Sequence, residues 1–206
     1  MSPQTYVGMN QTGLELAMEL AQPTRRVTTR ALNCNCPEDL GPFVEDARVG
    51  CIDLTFPDHG CLQRHLLETF SNEAMGQCMF CGSASMVQTE MTLVNSSQIL
   101  VVSVNRVRII SATRAAEITD EFQVPDTLQV PTLLGRKPYK LVAAVQHSGS
   151  AGSGHYVSNL RLADGSYIKV DDAKPIVPAA ENAVRKSQLF VFVESVEETQ
   201  DDEMLS

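Results

Sequence analysis

The 206-residue sequence contains no run of eighteen or more apolar residues, so we expect no transmembrane helix. Its first 22 residues have neither a basic start nor a continuous apolar stretch, which argues against a secretory signal. These two absences favour a soluble protein of the cytoplasm, the nucleus or both.

Basic residues are also scarce. The chain has 16 lysines and arginines against 25 aspartates and glutamates, which gives a formal net charge of -9. Because an acidic surface repels phosphate backbones, we expect no nucleic-acid partner, whereas a basic protein or peptide would be attracted. The alternative is that the charge only maintains solubility, since part of it lies in the acidic segment 197–203.

Six cysteines in 206 residues are too few for a disulfide-stapled miniprotein. Four of them form two closely spaced pairs: Cys34 with Cys36, and Cys78 with Cys81. Four thiolates presented by two tight turns would make a closed tetrahedral zinc site. The alternative is that these are idle or buried thiols, which is our interpretation of Cys51 and Cys61.

A first helix is predicted near the N-terminus. Thr12 and Glu15 have the spacing of a capping box, and Pro23 ends the pattern. Between them, four apolar residues recur at the spacing of one helical face: Leu14, Ala17, Met18 and Ala21.

Most of the remaining chain has β patterns, apart from a short helix with Leu62, Leu66 and Phe70 on one face. Strands are predicted in eight places: 25–36, 52–56, 87–93, 99–104, 139–145, 155–162, 167–170 and 189–193. Turn signals lie at 135–138, 148–154 and 163–165. The order of elements predicts an α+β fold with an antiparallel sheet and few helices, followed by an acidic disordered tail.

Two details of this pattern carry further expectations. The run 99–104 is almost continuously apolar, which predicts a strand covered on both faces. Three arginines, Arg106, Arg108 and Arg114, form a small basic patch that we expect to be solvated.

A histidine and two aspartates form the candidate site. The glycine- and serine-rich segment 149–154 ends directly at His155, and Asp171 and Asp172 follow the next strand sixteen residues later. Antiparallel neighbours would bring His155 and Asp171 to the same end of the sheet, where a carboxylate fixes the tautomer of a general base. The alternative from spacing alone is an ordinary strand histidine and an unrelated turn.

The segments around these residues closely resemble the histidine box of ubiquitin-specific proteases, which are papain-like cysteine deubiquitinases. The resemblance is carried by residues 140–149, 154–158 and 165–172, in the family's order. Weaker similarities link 188–193 to the last core strand of that family, 99–106 to the strand before its ubiquitin-facing sheet, and 11–15 to the start of a thumb helix.

The resemblance implies cleavage of the bond after the C-terminal glycine of ubiquitin. By motif position, His155 would be the base, Asp171 would orient His155, and Asp172 would assist beside the site. Gly154 would leave room for the Gly-Gly tail of ubiquitin, and His147 and Tyr156 would border the substrate channel. These roles are what the resemblance to the family implies.

The family also implies a structural zinc at the tip of its fingers, held by two Cys-x-x-Cys turns. Cys78 and Cys81 have this spacing, whereas Cys34 and Cys36 are one residue closer together. By the same comparison, residues 1–23 would be a remnant of the thumb and 24–193 the fingers and palm, with the tail at 194–206. A palm without most of its thumb would expose apolar surface, so we expect a partner chain or poor solubility.

The family's Asn-Thr-Cys-like nucleophile segment has no match in this chain, because the first cysteine, Cys34, follows the candidate thumb helix. A histidine and an aspartate without a thiolate cannot form the acyl-enzyme. We therefore expect an inactive or truncated protease relative that does not hydrolyse ubiquitin conjugates alone. The alternatives are a non-catalytic module that binds ubiquitin or a ubiquitin-like protein, and a zinc-stabilised scaffold.

Overall fold

A computed structural model describes residues 23–37, 41–57, 60–95, 97–112, 114–150, 153–180 and 182–195. The helix predicted from Thr12 and residues 196–206 of the acidic tail lie outside the described residues, so both stay predictions. Glu194, predicted as the first tail residue, instead ends the last strand, where it pairs opposite Tyr139. Among the helices of the described ranges, none is long and apolar enough to cross a membrane.

The first half of the described chain contains its one α-helix and six strands. In chain order these are β1 (Thr24–Ala31), β2 (Phe43–Arg48), β3 (Ile52–Leu54), α1 (Leu62–Phe70), β4 (Ser71–Gln77), β5 (Ala84–Asn95) and β6 (Ile99–Val104).

The second half is built from strands and one short 3-10 helix at Val184–Lys186. Its strands are β7 (Val107–Ser111), β8 (Arg114–Glu117), β9 (Thr127–Thr132), β10 (Gly135–Ser150), β11 (Ser153–Arg161), β12 (Tyr167–Val170), β13 (Val177–Pro178) and β14 (Leu189–Glu194).

Twelve strands form one branched sheet, and β7 and β8 form a separate hairpin. The main path runs β13-β12-β11-β10-β9-β5-β1-β2, while β14 joins β10 to β6 and β4 pairs with β5. Pairings are antiparallel except for β3 with β6 and the single contact of β5 with β9. The predicted α+β fold with few helices and a mainly antiparallel sheet is confirmed.

Helix α1 packs one apolar face against the sheet. Its residues Leu62, Leu66 and Phe70 recur on one face and are buried, as the spacing predicts. The Gln63 side-chain amide donates to the Gln129 carbonyl at 3.0 Å and accepts from the Gln129 N–H at 2.7 Å. This double hydrogen bond fixes α1 against β9.

Strand β6 differs from its prediction. Leu100, Val102 and Val104 are buried, but the alternate residues Ile99 and Val101 are only half-buried, so one face of the strand is not covered. Residues paired in register with this uncovered side lie on the same side of β14, β10, β11 and β12. We call it the open sheet face: Ile99, Val101, Leu189, Val191, Ala143, Val145, Tyr156, Leu160, Ile168 and Val170.

Two of the three predicted turns are placed differently. Residues 135–138 lie inside β10, where Pro138 pairs opposite Gln129, and the chain reverses at Leu133 and Leu134 instead. The predicted loop 148–154 is mostly paired strand, because β10 and β11 stay in register out to residues 150 and 153. The turn at 163–165 is confirmed, and Gly165 adopts its φ of 87°.

The prediction that Arg106 is solvated is wrong. Arg106 is 3% exposed, and its guanidinium lies over the rings of Phe56 and Phe122. It donates to four backbone carbonyls, those of Ile118, Asp120, Arg185 and Ser187, at 2.7–3.0 Å. Arg108 is exposed, as predicted.

Candidate functional site

His155 and Asp171 meet at one end of the β11–β12 pair. His155 follows the first residues of β11, and Asp171 comes directly after β12, whose register places Val170 opposite Ser158. The Nε2 atom of His155 lies 2.6 Å from Oδ1 of Asp171. The structure thus brings together the pair that the sequence predicts, with one imidazole nitrogen committed to a carboxylate.

The second carboxylate oxygen of Asp171 faces two lysines. Its Oδ2 lies 3.1 Å from Nζ of Lys174 and 3.5 Å from Nζ of Lys169. The hydrogen bond from His155 and the ammonium group of Lys174 lower the pKa of Asp171 to about 2, although the residue is only 6% exposed. A buried carboxylate is therefore held in its charged form by one imidazole and two ammonium groups.

Asp172 lies on the other side of the imidazole. Its Oδ2 is 3.8 Å from Nδ1 of His155, and its side chain is 79% exposed. Asp172 has a φ of 49°, a left-handed conformation that costs most non-glycine residues about 1–2 kcal/mol. With Nε2 engaged by Asp171, Nδ1 is the nitrogen left to exchange a proton with a reacting group.

The glycine before His155 on β11 makes a close contact with a histidine on the neighbouring strand β10. Gly154 has no room for a side chain, because an added Cβ would clash with the His147 ring and lie 2.6 Å from the Ser148 carbonyl oxygen. The His147 and Tyr156 rings are 4.9 Å apart, and Nδ1 of His147 lies 3.5 Å from Oε1 of Glu117. Gly154, His147 and Tyr156 therefore adjoin one another, and Glu117 joins them from β8.

The four paired cysteines converge at the far end of the β1, β4 and β5 strands. Their Sγ atoms all lie within 4.8 Å of one another, and Sγ of Cys36 is 3.7 Å from Sγ of Cys78. A tetrahedral site with metal–sulfur bonds of about 2.3 Å needs sulfurs about 3.8 Å apart. The one-residue spacing of Cys34 and Cys36 is therefore compatible with a metal site.

The turn after Cys78 stabilises a thiolate. Backbone N–H groups of Cys81 and Phe80 point at its sulfur and lower the pKa of the Cys78 thiol to about 6. The hydrogen bond to Cys81 and burial raise the pKa of Cys36 to about 12. Away from this cluster, burial also raises the pKa of Cys51 to about 12, and Cys61 precedes the first residue of α1.

Sequence reasoning missed three charged members of the site. Lys169 and Lys174 are two residues before and three residues after Asp171, and such spacing places them on its face of the strand and in its turn. That local signal could have identified both. Glu117 lies thirty residues from His147 in a separate hairpin, and no local pattern indicates their contact.

A family model described as ubiquitin carboxyl-terminal hydrolase matches residues 24–193. No curated protein matches the chain significantly.

Solved structures of the SAGA Ubp8/Sgf11/Sus1/Sgf73 DUB module have a similar fold. The module bound to ubiquitin aldehyde matches with a TM-score of 0.69 and 14% identity, covering 85% of this chain and 42% of that chain. The module with a Ubp8 variant bound to monoubiquitin matches with a TM-score of 0.69 and 15% identity, covering 85% of this chain and 41% of that chain. The yeast module with a mutated Sgf73 matches with a TM-score of 0.68 and 14% identity, covering 85% of this chain and 41% of that chain. The chain thus spans about two fifths of the length of the solved chains it matches.

Proposed function

Because the chain belongs to the ubiquitin carboxyl-terminal hydrolase family, we propose that it binds ubiquitin with the C-terminal tail directed toward His155. In this proposal His155 is the base, Asp171 orients it, and Asp172 lies beside the reacting atoms. The two terminal glycines pass beside Gly154, and His147 and Tyr156 border their path.

The observation that carries the proposal is the 2.6 Å contact between Nε2 of His155 and Oδ1 of Asp171. A carboxylate in this position fixes the tautomer and stabilises the imidazolium that forms when a base takes a proton. The remaining nitrogen, Nδ1, is beside Asp172 and away from Asp171. This arrangement supports proton transfer at Nδ1, on the side where a substrate carbonyl and its nucleophile would meet.

We further propose that the 206-residue chain binds ubiquitin without cleaving its conjugates. Within the described residues, the potential metal-ligating side chains gathered at His155 are Asp171 and Asp172, and no cysteine joins them. Four cysteines gather elsewhere, and the raised pKa of Cys51 disfavours the thiolate that attack requires. A base without a thiolate cannot form the acyl-enzyme of this family.

A second candidate is a deubiquitinase whose nucleophile works with this His–Asp pair. The intact pair favours it, since a binding module has no need for a hydrogen-bonded base. A cleavage assay separates the two candidates: turnover of a ubiquitin–fluorophore conjugate that vanishes in His155→Ala supports the enzyme and contradicts the binding module.

Calorimetry tests ubiquitin binding itself. We expect the chain to bind ubiquitin, and to bind ubiquitin lacking its two C-terminal glycines more weakly, because the tail would lose its contacts beside Gly154. Equal affinity for both ligands would contradict the placement of the tail. An absence of binding to either ligand would contradict the proposed function and leave the scaffold interpretation.

A protein partner is proposed for the open sheet face. Tyr156 and Leu160 on this face are 45% and 38% exposed, and their neighbours on β12 and β14 are half-buried. The solved modules contain Sgf11, Sus1 and Sgf73 as well as Ubp8, which supports assembly with further chains. Light scattering of the isolated chain should show self-association, and a monomer at high concentration would contradict an uncovered apolar face.

Zinc is the proposed occupant of the four-cysteine cluster: Cys34, Cys36, Cys78 and Cys81. Bound zinc would serve as a structural cross-link between the β1 end and the β4–β5 turn. Metal analysis of purified protein should give about one equivalent of zinc, and less than half an equivalent would contradict the site.

A further inference from the structure

The two carboxylate oxygens of Asp171 have different partners. Oδ1 faces His155 at 2.6 Å, whereas Oδ2 faces Lys174 at 3.1 Å and Lys169 at 3.5 Å. The charged groups that contact the pair are completed by Asp172, on the far side of the imidazole. A carboxylate so divided cannot rotate about its Cβ–Cγ bond without breaking a charge-assisted hydrogen bond.

The position of Lys174 is set by backbone as well as by charge. The N–H of Lys174 donates to the carbonyl of Asp171 at 3.0 Å, which closes a turn through Asp172 with its positive φ. Lys169 reaches the same oxygen from β12, two residues before Asp171 and on the same side of the strand. Two separate backbone segments therefore deliver positive charge to Oδ2.

We propose that Lys174, supported by Lys169, is a positioning residue that holds Asp171 with Oδ1 toward His155 and weakens the pull of that carboxylate on the imidazole. The ammonium groups draw electron density toward Oδ2, so Oδ1 is a poorer acceptor than it would be in an isolated pair. This inference deepens the proposed function, since it concerns the residues assigned there as base and orienter.

Nuclear magnetic resonance of the free chain tests it without ubiquitin. In Lys174→Met, the pKa of Asp171, followed by the 13C shift of its carboxyl carbon, should rise by roughly half a unit to one unit. The proton on Nε2 of His155 should move downfield, because Oδ1 becomes the stronger acceptor. Lys174→Arg should restore both signals toward the wild-type values, and Lys169→Met should change them less.

The control is Lys140→Met, which removes an exposed lysine from the other end of β10. It should leave both signals unchanged, so a general loss of positive charge cannot imitate the effect. If Lys174→Met fails to fold, Lys174→Gln keeps a hydrogen-bond donor of similar length without the charge and should give the same direction of change.

Wild-type signals in folded Lys174→Met, or in Lys174→Gln where that variant is needed, would overturn the inference. So would changes in Lys140→Met as large as those in Lys174→Met. Neither result depends on ubiquitin binding, so failure of this inference can be told apart from failure of the proposed function.

Discussion

The backbone of Gly154 packs against the imidazole of His147, and this contact fixes the residue immediately before His155. Gly154 is required for space, since a Cβ would clash with the His147 ring and the Ser148 carbonyl oxygen. We predict that Gly154→Ala lowers the free energy of unfolding by about 1–3 kcal/mol, the usual cost of overpacking. Urea unfolding gives this value, and the His155 signals should shift in the same variant.

Gly76→Ala is the matched control for that prediction. A Cβ at Gly76 would meet only the Val87 side chain, whose Cγ2 and Cβ would lie 3.1 Å and 3.5 Å away, and it would crowd no backbone atom within 4 Å. Its cost should stay below about 1 kcal/mol. Equal losses in the two variants would show that the His147 contact has no special importance.

The ionisation of Asp171 predicts a pH dependence of stability. Its pKa is lowered to about 2 from an ordinary value near 4, so the charged form is favoured in the folded state. The resulting stabilisation is complete above about pH 4 and is lost as the pH falls toward 2. The difference in unfolding free energy between wild type and Asp171→Asn should therefore be largest near neutral pH and disappear near pH 2.

Other carboxylates also lose stabilising partners in acid, so the wild-type curve alone does not identify Asp171. Asp46 pairs with Arg26 and Asp164 accepts from Ser166, and both have lowered pKa values. Asp46→Asn serves as the control. It also removes a carboxylate with a lowered pKa, but it should leave the NMR signals of His155 unchanged. A wild-type minus Asp171→Asn difference that is constant from pH 7 to pH 2 would contradict the assigned ionisation.

The sequence predicts the central pair because its determinants are local. His155 lies near the start of β11 and Asp171 directly follows β12, so the two-residue period and one tight turn decide their meeting. The contact of His147 with Glu117 depends on how a separate hairpin docks, and no periodicity encodes docking. The sequence therefore predicts the contacts within the β11–β12 pair, but not the contact with Glu117 on β8.

The fold was predictable to a similar depth. The spacing of Leu62, Leu66 and Phe70 predicts α1 because a helix buries one face. Residues 135–138 resemble a turn, yet tertiary pairing with β9 keeps them extended. Charge makes Arg106 look solvated, but its burial depends on carbonyls from segments up to 81 residues away.

Removal of the proposed zinc should affect the four-cysteine cluster and leave the candidate site intact. Because two separate turns supply the thiolates, Cys78→Ser should lose the metal and the amide-signal dispersion of residues 32–37 and 78–83. His155 signals should stay in place. Cys51→Ser, outside the cluster, should retain the metal, and full metal content in Cys78→Ser would contradict the ligand set.

Arg106 is the buried cation on which the β7–β8 hairpin depends. Its guanidinium donates to carbonyls both after β8, at Ile118 and Asp120, and around the 3-10 helix. Arg106→Met would take the guanidinium donor away from these carbonyls, most of them part-buried, and remove the contacts with two aromatic rings. We predict a loss of about 3 kcal/mol in the free energy of unfolding.

Arg108→Met is the control, because Arg108 is exposed two residues along the same segment. Its effect should lie within about 0.5 kcal/mol of wild type. Since the hairpin carries Glu117, loosening it should also separate Glu117 from His147, and the His147 ring signals should shift in Arg106→Met alone. Unchanged His147 signals in a destabilised Arg106→Met would mean that the hairpin is held to β10 by other contacts.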